Sequence, residues 1–263
     1  MNIVVLVKQV PDSGSERNLR ADDKTVDRAS ASNVINEMDE YAIEEALKIK
    51  EAHGGEVTIL TMGPASATEA IRKALQMGPD KGVHVLDDAL PGSCTLATSK
   101  VLAAAIGTLS ADIVIAGAEA TDSRNQVMPQ MLAERLGIAA VTGARKLTVE
   151  PGASATTLTA ERQTEEGFEV VTAVTPAIVS VWDTINEPRY PSFKGIMQAK
   201  SKPIVVLSLA DLGISAEEVG FAGASSAVLD ATKRPPRSAG QRVEDAGSGG
   251  VALVEFLTSE KFV

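Results

Sequence analysis

The stretch Val57-Thr58-Ile59-Leu60-Thr61-Met62-Gly63-Pro64-Ala65, running on into residues 66–77, decides the fold. Residues 57–60 are a short β-branched apolar run that reads as a strand, and residues 66–77 read as a helix. The same unit recurs on either side. Residues 2–7 form a nearly continuous apolar strand, followed by a charged polar stretch at 11–32 that is long for a loop, and loops of that length are often functional. Asn36 then caps a helix whose apolar residues Met38, Ala42, Ile43, Ala46 and Leu47 recur at spacings of three and four. Glu44 and Lys48 are spaced as an i,i+4 pair, and Gly54-Gly55 ends that helix. Strands follow at 82–86 and 112–116, with helices at 95–109 and 125–136. Strand and helix alternating at this rhythm predict an α/β fold with a doubly wound, mostly parallel sheet.

Beyond residue 140 the pattern changes. Residues 146–149, 155–160, 169–174 and 177–182 read as short strands separated by Pro151-Gly152 and Glu165-Glu166-Gly167, so an antiparallel strand meander is expected. From Leu212 the chain is rich in Ala, Ser, Gly and Pro, ending in a helix-like apolar segment at 251–257. A segment so thin in apolar residues is either disordered or laid along another protein. The expected division is an α/β domain over residues 1–211 and an extended C-terminal arm over 212–263.

Composition narrows the function. Of 263 residues 44% are hydrophobic but only 3% aromatic, so the core is built from Ala, Val, Ile and Leu, as suits helices on a parallel sheet. A net charge of −10 without a basic stripe disfavours nucleic acid and anionic lipid. The lone Cys94 permits no intrachain disulfide, and with only His53 and His84 a conventional zinc site is not expected. No apolar run reaches membrane-spanning length, and no secretory signal is read at the start, so the cytoplasm is the expected compartment.

Recognisable catalytic constellations are missing, as are the Walker and Rossmann glycine motifs. His53 reads as a cation at a helix C-terminus and His84 as a satisfied core histidine. Two turns read as ligand sites at the carboxyl ends of strands. In Thr61-Met62-Gly63-Pro64-Ala65, Gly63 lets backbone approach a ligand closely. In the segment Gly117 to Gln126, free backbone N–H groups feeding a helix form an anion site to which Arg124 adds charge, although Asp122 or Ser123 would also serve as a plain N-cap. A third feature, the proline-broken segment 186–197, carries Arg189, Tyr190, Phe193, Ile196 and Met197. It reads either as a partner hot spot or as a loop covering the meander.

Together, several stretches resemble one family, the β (small) subunit of electron-transfer flavoproteins. These are Val7-Lys8-Gln9-Val10-Pro11-Asp12, NEMDEYAIEEA at 36–46, ALQMGPDKGVH at 74–84, the Asp122 loop, and the signature segment from Ala160-Glu161-Arg162 to Thr175-Pro176-Ala177. Segments 186–200 and Pro235-Pro236-Arg237-Ser238-Ala239-Gly240 complete the match, which runs in order along essentially the whole chain.

The resemblance implies a heterodimer with an α subunit that holds most of the FAD site, while this chain binds AMP as a structural ligand. It implies an electron carrier that takes electrons from flavin dehydrogenases, such as acyl-CoA dehydrogenases, toward the respiratory chain, without catalytic residues of its own. Carried over by position, AMP would meet Leu6, Asn36, Met62 and Gly63. Its phosphate would lie along Gly117, Ala120, Asp122, Asn125, Gln126, Val127 and Met128. Arg189, Tyr190, Phe193, Ile196 and Met197 would belong to the family's dehydrogenase recognition loop.

The phosphate loop keeps only part of the family pattern, and Ser13 and Met38 stand where some members place aromatics near the flavin. A bifurcating branch places a second FAD in the AMP position and is the nearest alternative. A non-redox nucleotide-binding protein of the same fold would need a glycine-rich phosphate loop or a Ser-Gly-Gly-x-Asp-Ser motif, and neither is present. A pure scaffold would carry no nucleotide.

Overall fold

The computed structural model describes residues 1–237, 239–240 and 242–263, so Ser238 of the last resembling segment lies outside the described residues. Two compact units are present, Met1–Leu229 and Asp230–Val263.

In the first unit the elements follow the chain as β1 (Asn2–Leu6), β2 (Gln9–Pro11), β3 (Asn33–Ile35), α1 (Glu37–His53), β4 (Glu56–Met62), α2 (Thr68–Met77) and β5 (Lys81–Val85). They continue with α3 (Thr95–Gly107), β6 (Ile113–Gly117), α4 (Met128–Leu136), β7 (Ala139–Pro151), β8 (Thr156–Thr164), β9 (Gly167–Val174), β10 (Ala177–Val181), α5 (Phe193–Ala199) and β11 (Ile204–Leu207). Nine strands form one sheet in the order β11-β5-β4-β1-β6-β10-β7-β8-β9, and β2 pairs with β3 as a separate ribbon. Every pairing from β11 to β7 is parallel, while β7, β8 and β9 pair antiparallel.

Alternate residues of the parallel strands feed two cores. Ile3, Val5, Ile59 and Ile115 pack beneath α1 and α2, whereas Val4, Leu6, Leu60 and Val114 pack beneath α3 and α4. From β1 the chain winds outward through β4 and β5, then crosses back to β6 on the other side of β1. The winding therefore reverses beside β1, and a doubly wound sheet opens a crevice at the carboxyl ends of the strands at such a point.

Four expectations are corrected. Residues 177–182 do not close the meander. β10 leaves it and inserts between β6 and β7, parallel to both, because Ala177-Ile178-Val179-Ser180-Val181 is buried on both faces and only the centre of the sheet provides that. The fourth helix starts at Met128, not Asn125, since Arg124 (φ 49°) and Gln126 (φ 53°) adopt left-handed backbone. Glu44 does not pair with Lys48, which bonds Glu45 at 3.0 Å; Glu44 is buried against Arg189. Asn36 sits at the N-cap of α1 but does not cap it with its side chain.

The segment after residue 211 is also more firmly held than its composition suggests. Ile214 and Val219 are buried, and the first unit runs on to Leu229. The second unit contains α6 (Gly249–Ser259), where Asp245 Oδ1 accepts the backbone N–H groups of Gly247 and Gly249. None of the side chains on α6 is buried. Among the described residues no helix is long and apolar enough to cross a membrane.

Moving β10 to the sheet centre has a measurable consequence. Ile178→Ala, at a fully buried site, is expected to destabilise by about 2–5 kcal/mol. Val170→Ala, on exposed β9, should stay within about 0.5 kcal/mol of wild type in the same denaturant titration. Equal losses would return residues 177–181 to the meander.

Candidate functional site

At the crevice lies a cavity of about 1000 Å³. Its lining includes Leu6 from the end of β1, Met62 and Gly63 after β4, and Gly117, Ala120, Asn125, Gln126 and Met128 from the β6–α4 connection. The two turns singled out in the sequence therefore face one space. One part of that space is apolar, floored by Leu6, Leu60, Leu102 and Ala116, while Lys8, Arg28, Asp39 and Glu119 give the rest its polarity.

The β6–α4 turn presents backbone donors. No hydrogen bond within the described residues is made by the N–H groups of Asn125, Gln126 and Val127. Gln126 is left-handed and Val127 right-handed (φ −105°, ψ −11°), an alternation that points successive N–H groups into one concavity and suits an anion. Two non-glycine residues held at positive φ cost free energy, and such strain clusters at functional sites. Gln126 is steadied by its side-chain amide, which donates to Glu119 Oε2 at 2.8 Å, and Asn125 donates to Thr95 Oγ1 at 3.2 Å.

Asn36 and Asp122 stand behind this wall and brace it. The Asn36 amide donates to Asp39 Oδ1 and to the Glu119 carbonyl, both at 2.9 Å, while its oxygen accepts Thr121 N–H at 3.0 Å. All its polar atoms are thus committed within the protein, fixing the loop on α1. The Asp122 side chain is 2% exposed and accepts Lys8 Nζ at 2.8 Å and Arg28 Nη2 at 2.5 Å. Burial raises the pKa of its carboxyl, but these two cations outweigh burial and hold it below the ordinary range. Gly117 is required by the helix rather than by an opening: a Cβ there would stand 2.6 Å from Met38 Cβ and 2.7 Å from Asp39 Oδ1.

Several participants escaped the sequence reading. Asp39 is buried, accepting Lys8 N–H at 2.8 Å and the Asn36 amide, and desolvation pushes its carboxyl up to about 7. The polar stretch 12–32 folds over the cavity: Arg28 reaches Asp122, Arg17 donates to the Thr121 carbonyl at 2.8 Å, and Thr25 and Asp27 join the lining. Its length and charge were the available signal. His84 is the satisfied core histidine expected, lying between Thr68 Oγ1 and the Gly63 carbonyl, so it also holds the second turn.

The proline-broken segment lies elsewhere and does not cover the meander. Ser192 caps α5, which packs on α2, and Arg72 Nη1 ties the end of α5 by donating to the Ala199 carbonyl at 2.8 Å. Arg189 is bound to Glu44 Oε2 at 2.7 Å and to Glu51 Oε1 at 2.5 Å, while Asn186 bonds the Tyr41 carbonyl and Glu45. The segment is thereby fastened to α1 with Tyr190 95% and Phe193 81% exposed; Ile196 and Met197 are also exposed.

Residues 23–212 match the family model described as the electron transfer flavoprotein domain. A curated protein of Mycobacterium leprae, electron transfer flavoprotein subunit beta, is 49% identical over 100% of this chain and 99% of its own length. The subunit of the same name from Thermoanaerobacterium thermosaccharolyticum is 38% identical over the whole of both chains. Subunit CarD of the caffeyl-CoA reductase-Etf complex of Acetobacterium woodii is 34% identical, again over the whole of both.

The position of Asp39 predicts a pH dependence. Its folded-state pKa stands above the unfolded value of 3.8, so between 3.8 and about 7 the native state binds more protons than the unfolded chain. This group's contribution to stability therefore falls as pH rises through that window and levels off above it. Asp39→Asn should lack that slope, so the wild-type stability curve minus the variant curve should fall between pH 3.8 and about 7; a flat difference across that window would show that folding does not raise the Asp39 pKa.

Proposed function

The chain belongs to the electron transfer flavoprotein family, as a β-type subunit, and on that footing we propose that it binds AMP as a structural ligand beside an α subunit that holds most of the FAD. The observation that carries this reading is the turn at 125–127, whose backbone donors are unbonded and whose Asn125 and Gln126 line a cavity with an apolar part. An adenine nucleotide has the same division, with a polyanionic end for the donors and a flat ring for the apolar part. Leu6, Met62, Gly63, Gly117, Ala120, Asn125, Gln126 and Met128 would line it, Val127 would contribute its N–H, and Asn36 and Asp122 would hold the loop in shape. The bound flavin supplies hydride and one-electron chemistry. This chain binds, orients and docks, and it brings no nucleophile or acid–base pair of its own to a reaction.

Electrons would come from flavin dehydrogenases, such as acyl-CoA dehydrogenases, that dock on the segment carrying Arg189, Tyr190, Phe193, Ile196 and Met197, and pass toward the respiratory chain. Within that segment Arg189 serves by anchoring the backbone to α1, which leaves Tyr190 and Phe193 projecting at little entropic cost on docking. The cytoplasm is the proposed compartment. A second reading, a bifurcating subunit with FAD in place of AMP, is favoured by the size of the cavity, which extends from the apolar floor to the stretch 12–32.

Co-purification with the α partner separates the two readings. The first expects one flavin and one AMP released per heterodimer by mass analysis, the second two flavins, and release of flavin alone at one per heterodimer would refute both.

Phe193→Ala tests the docking segment. Because the ring is exposed, melting temperature and cofactor content should not change, while affinity for a dehydrogenase should fall about 30- to 1000-fold, the range of a hot-spot truncation. Unaltered electron-transfer kinetics would remove Phe193 from the docking surface.

A further inference from the structure

The apolar part of the cavity is lined by one aromatic ring, Phe221, which comes from the segment that sequence reading assigned to an extended arm. Leu6, Leu60, Leu90, Leu102 and Ala116 form the packed floor of the same space. Phe221 remains 57% exposed although the chain on both sides of it is fixed. Val219 is completely buried. Gly220 N–H donates to Ser93 Oγ at 2.8 Å, and that hydroxyl in turn donates to the Leu90 carbonyl at 2.7 Å.

Beneath the ring lies Gly92, at φ +87°. A Cβ there would stand 2.5 Å from Phe221 Cγ and 2.6 and 2.7 Å from its two Cδ atoms. Near-equal distances to three ring atoms mean that the glycine meets the face of the ring, so one face rests on bare backbone. A large apolar side chain left more than half in water, yet immobilised at the mouth of a nucleotide-sized cavity, is poor core packing and good ligand geometry. Rigid aromatic rings bind planar π-systems by stacking at little cost in conformational entropy.

We infer that Phe221 is the stacking platform for the base of the bound nucleotide, a planar aromatic heterocycle that enters the apolar part of the cavity while its phosphate takes the donors at 125–127. The inference rests on the nucleotide reading and adds to it the residue that selects a base-bearing ligand over a sugar phosphate. Asn125 links the two ends: it lines the cavity and bonds Thr95 at the start of α3, adjacent to Cys94, whose Sγ accepts the N–H of Ser225 four residues after Phe221.

The test uses the full chain in complex with its α partner, freed of nucleotide, and titrates it calorimetrically with AMP and with ribose 5-phosphate. Phe221→Ala should weaken AMP binding roughly 5- to 150-fold, the range of a lost base–aromatic stack, and leave ribose 5-phosphate binding unchanged. Phe221→Trp should keep wild-type AMP affinity, and neither variant should lower the melting temperature of the ligand-free complex by more than a degree or two. Equal weakening of both ligands, or a large drop in melting temperature with unaltered AMP affinity, makes Phe221 a structural cover and overturns the inference. Failure of the wild-type complex to bind either ligand refutes the nucleotide reading itself, and the inference with it.

Discussion

One buried polar knot governs the ligand end of this fold. Asn36 and Asp39, a turn apart at the start of α1, bond each other, and between them take Lys8 N–H from the β1–β2 connection and Thr121 N–H and Glu119 C=O from the β6–α4 connection. Two strand-end loops and a helix terminus are thus fixed relative to one another, and the Lys8–Asp122 pair joins the two loops directly. Asn36 is 1% and Asp39 6% exposed, so any bond left unmade would cost the desolvation of a buried polar group. That penalty makes the arrangement single-valued. Either the loops take these positions or several polar groups are stranded.

The loop that this knot holds, proposed above as an anion site, belongs to an acidic protein. The net charge of −10 opposes a phosphate at long range. Locally, Asp122 is held between Lys8 and Arg28, so its charge is offset where it stands behind the loop. The backbone donors at 125–127 add positive potential that needs no side chain and remains when salt screens the surface. On the proposed reading Asp122 would order the site from behind, since a direct contact with a phosphate would work against its charge.

What was legible in the sequence follows from how local the causes are. Strands β1, β4 and β6 are short, mostly apolar runs buried on both faces, α1 and α2 carry helical periodicity and α3 is rich in Ala, so each declares itself within its own residues. The centre of the sheet does not. β10 follows β9 after a short connection, and adjacency suggests a hairpin, yet its five buried residues, apolar except for Ser180, contrast with the poorly buried side chains of β9 and mark a central parallel strand. The start of α4 was misplaced because Arg124 and Gln126 take glycine-like φ without being glycine. The knot at Asn36 and Asp39, the brace on Asp122, and Phe221 at the cavity mouth all join residues far apart in the chain, and only the folded topology brings them together.

The helix α1 links the two regions for which functions are proposed. Its first turn carries the knot under the ligand cavity, and its later turns carry Glu44, Glu45 and Glu51, which fasten the segment bearing Tyr190 and Phe193. Asn36 and Glu44 are eight residues apart, about 12 Å along a helix at 1.5 Å per residue. Glu44 is buried where it receives Arg189, so this clamp is far less screened than a surface pair and the segment has few alternative positions. A nucleotide that binds only the native loop arrangement stabilises it by mass action, and with it the N-terminus of α1. On the proposed reading, a ligand that takes part in no reaction would still have a mechanical role: it would secure one end of the rod whose other end positions Tyr190 and Phe193.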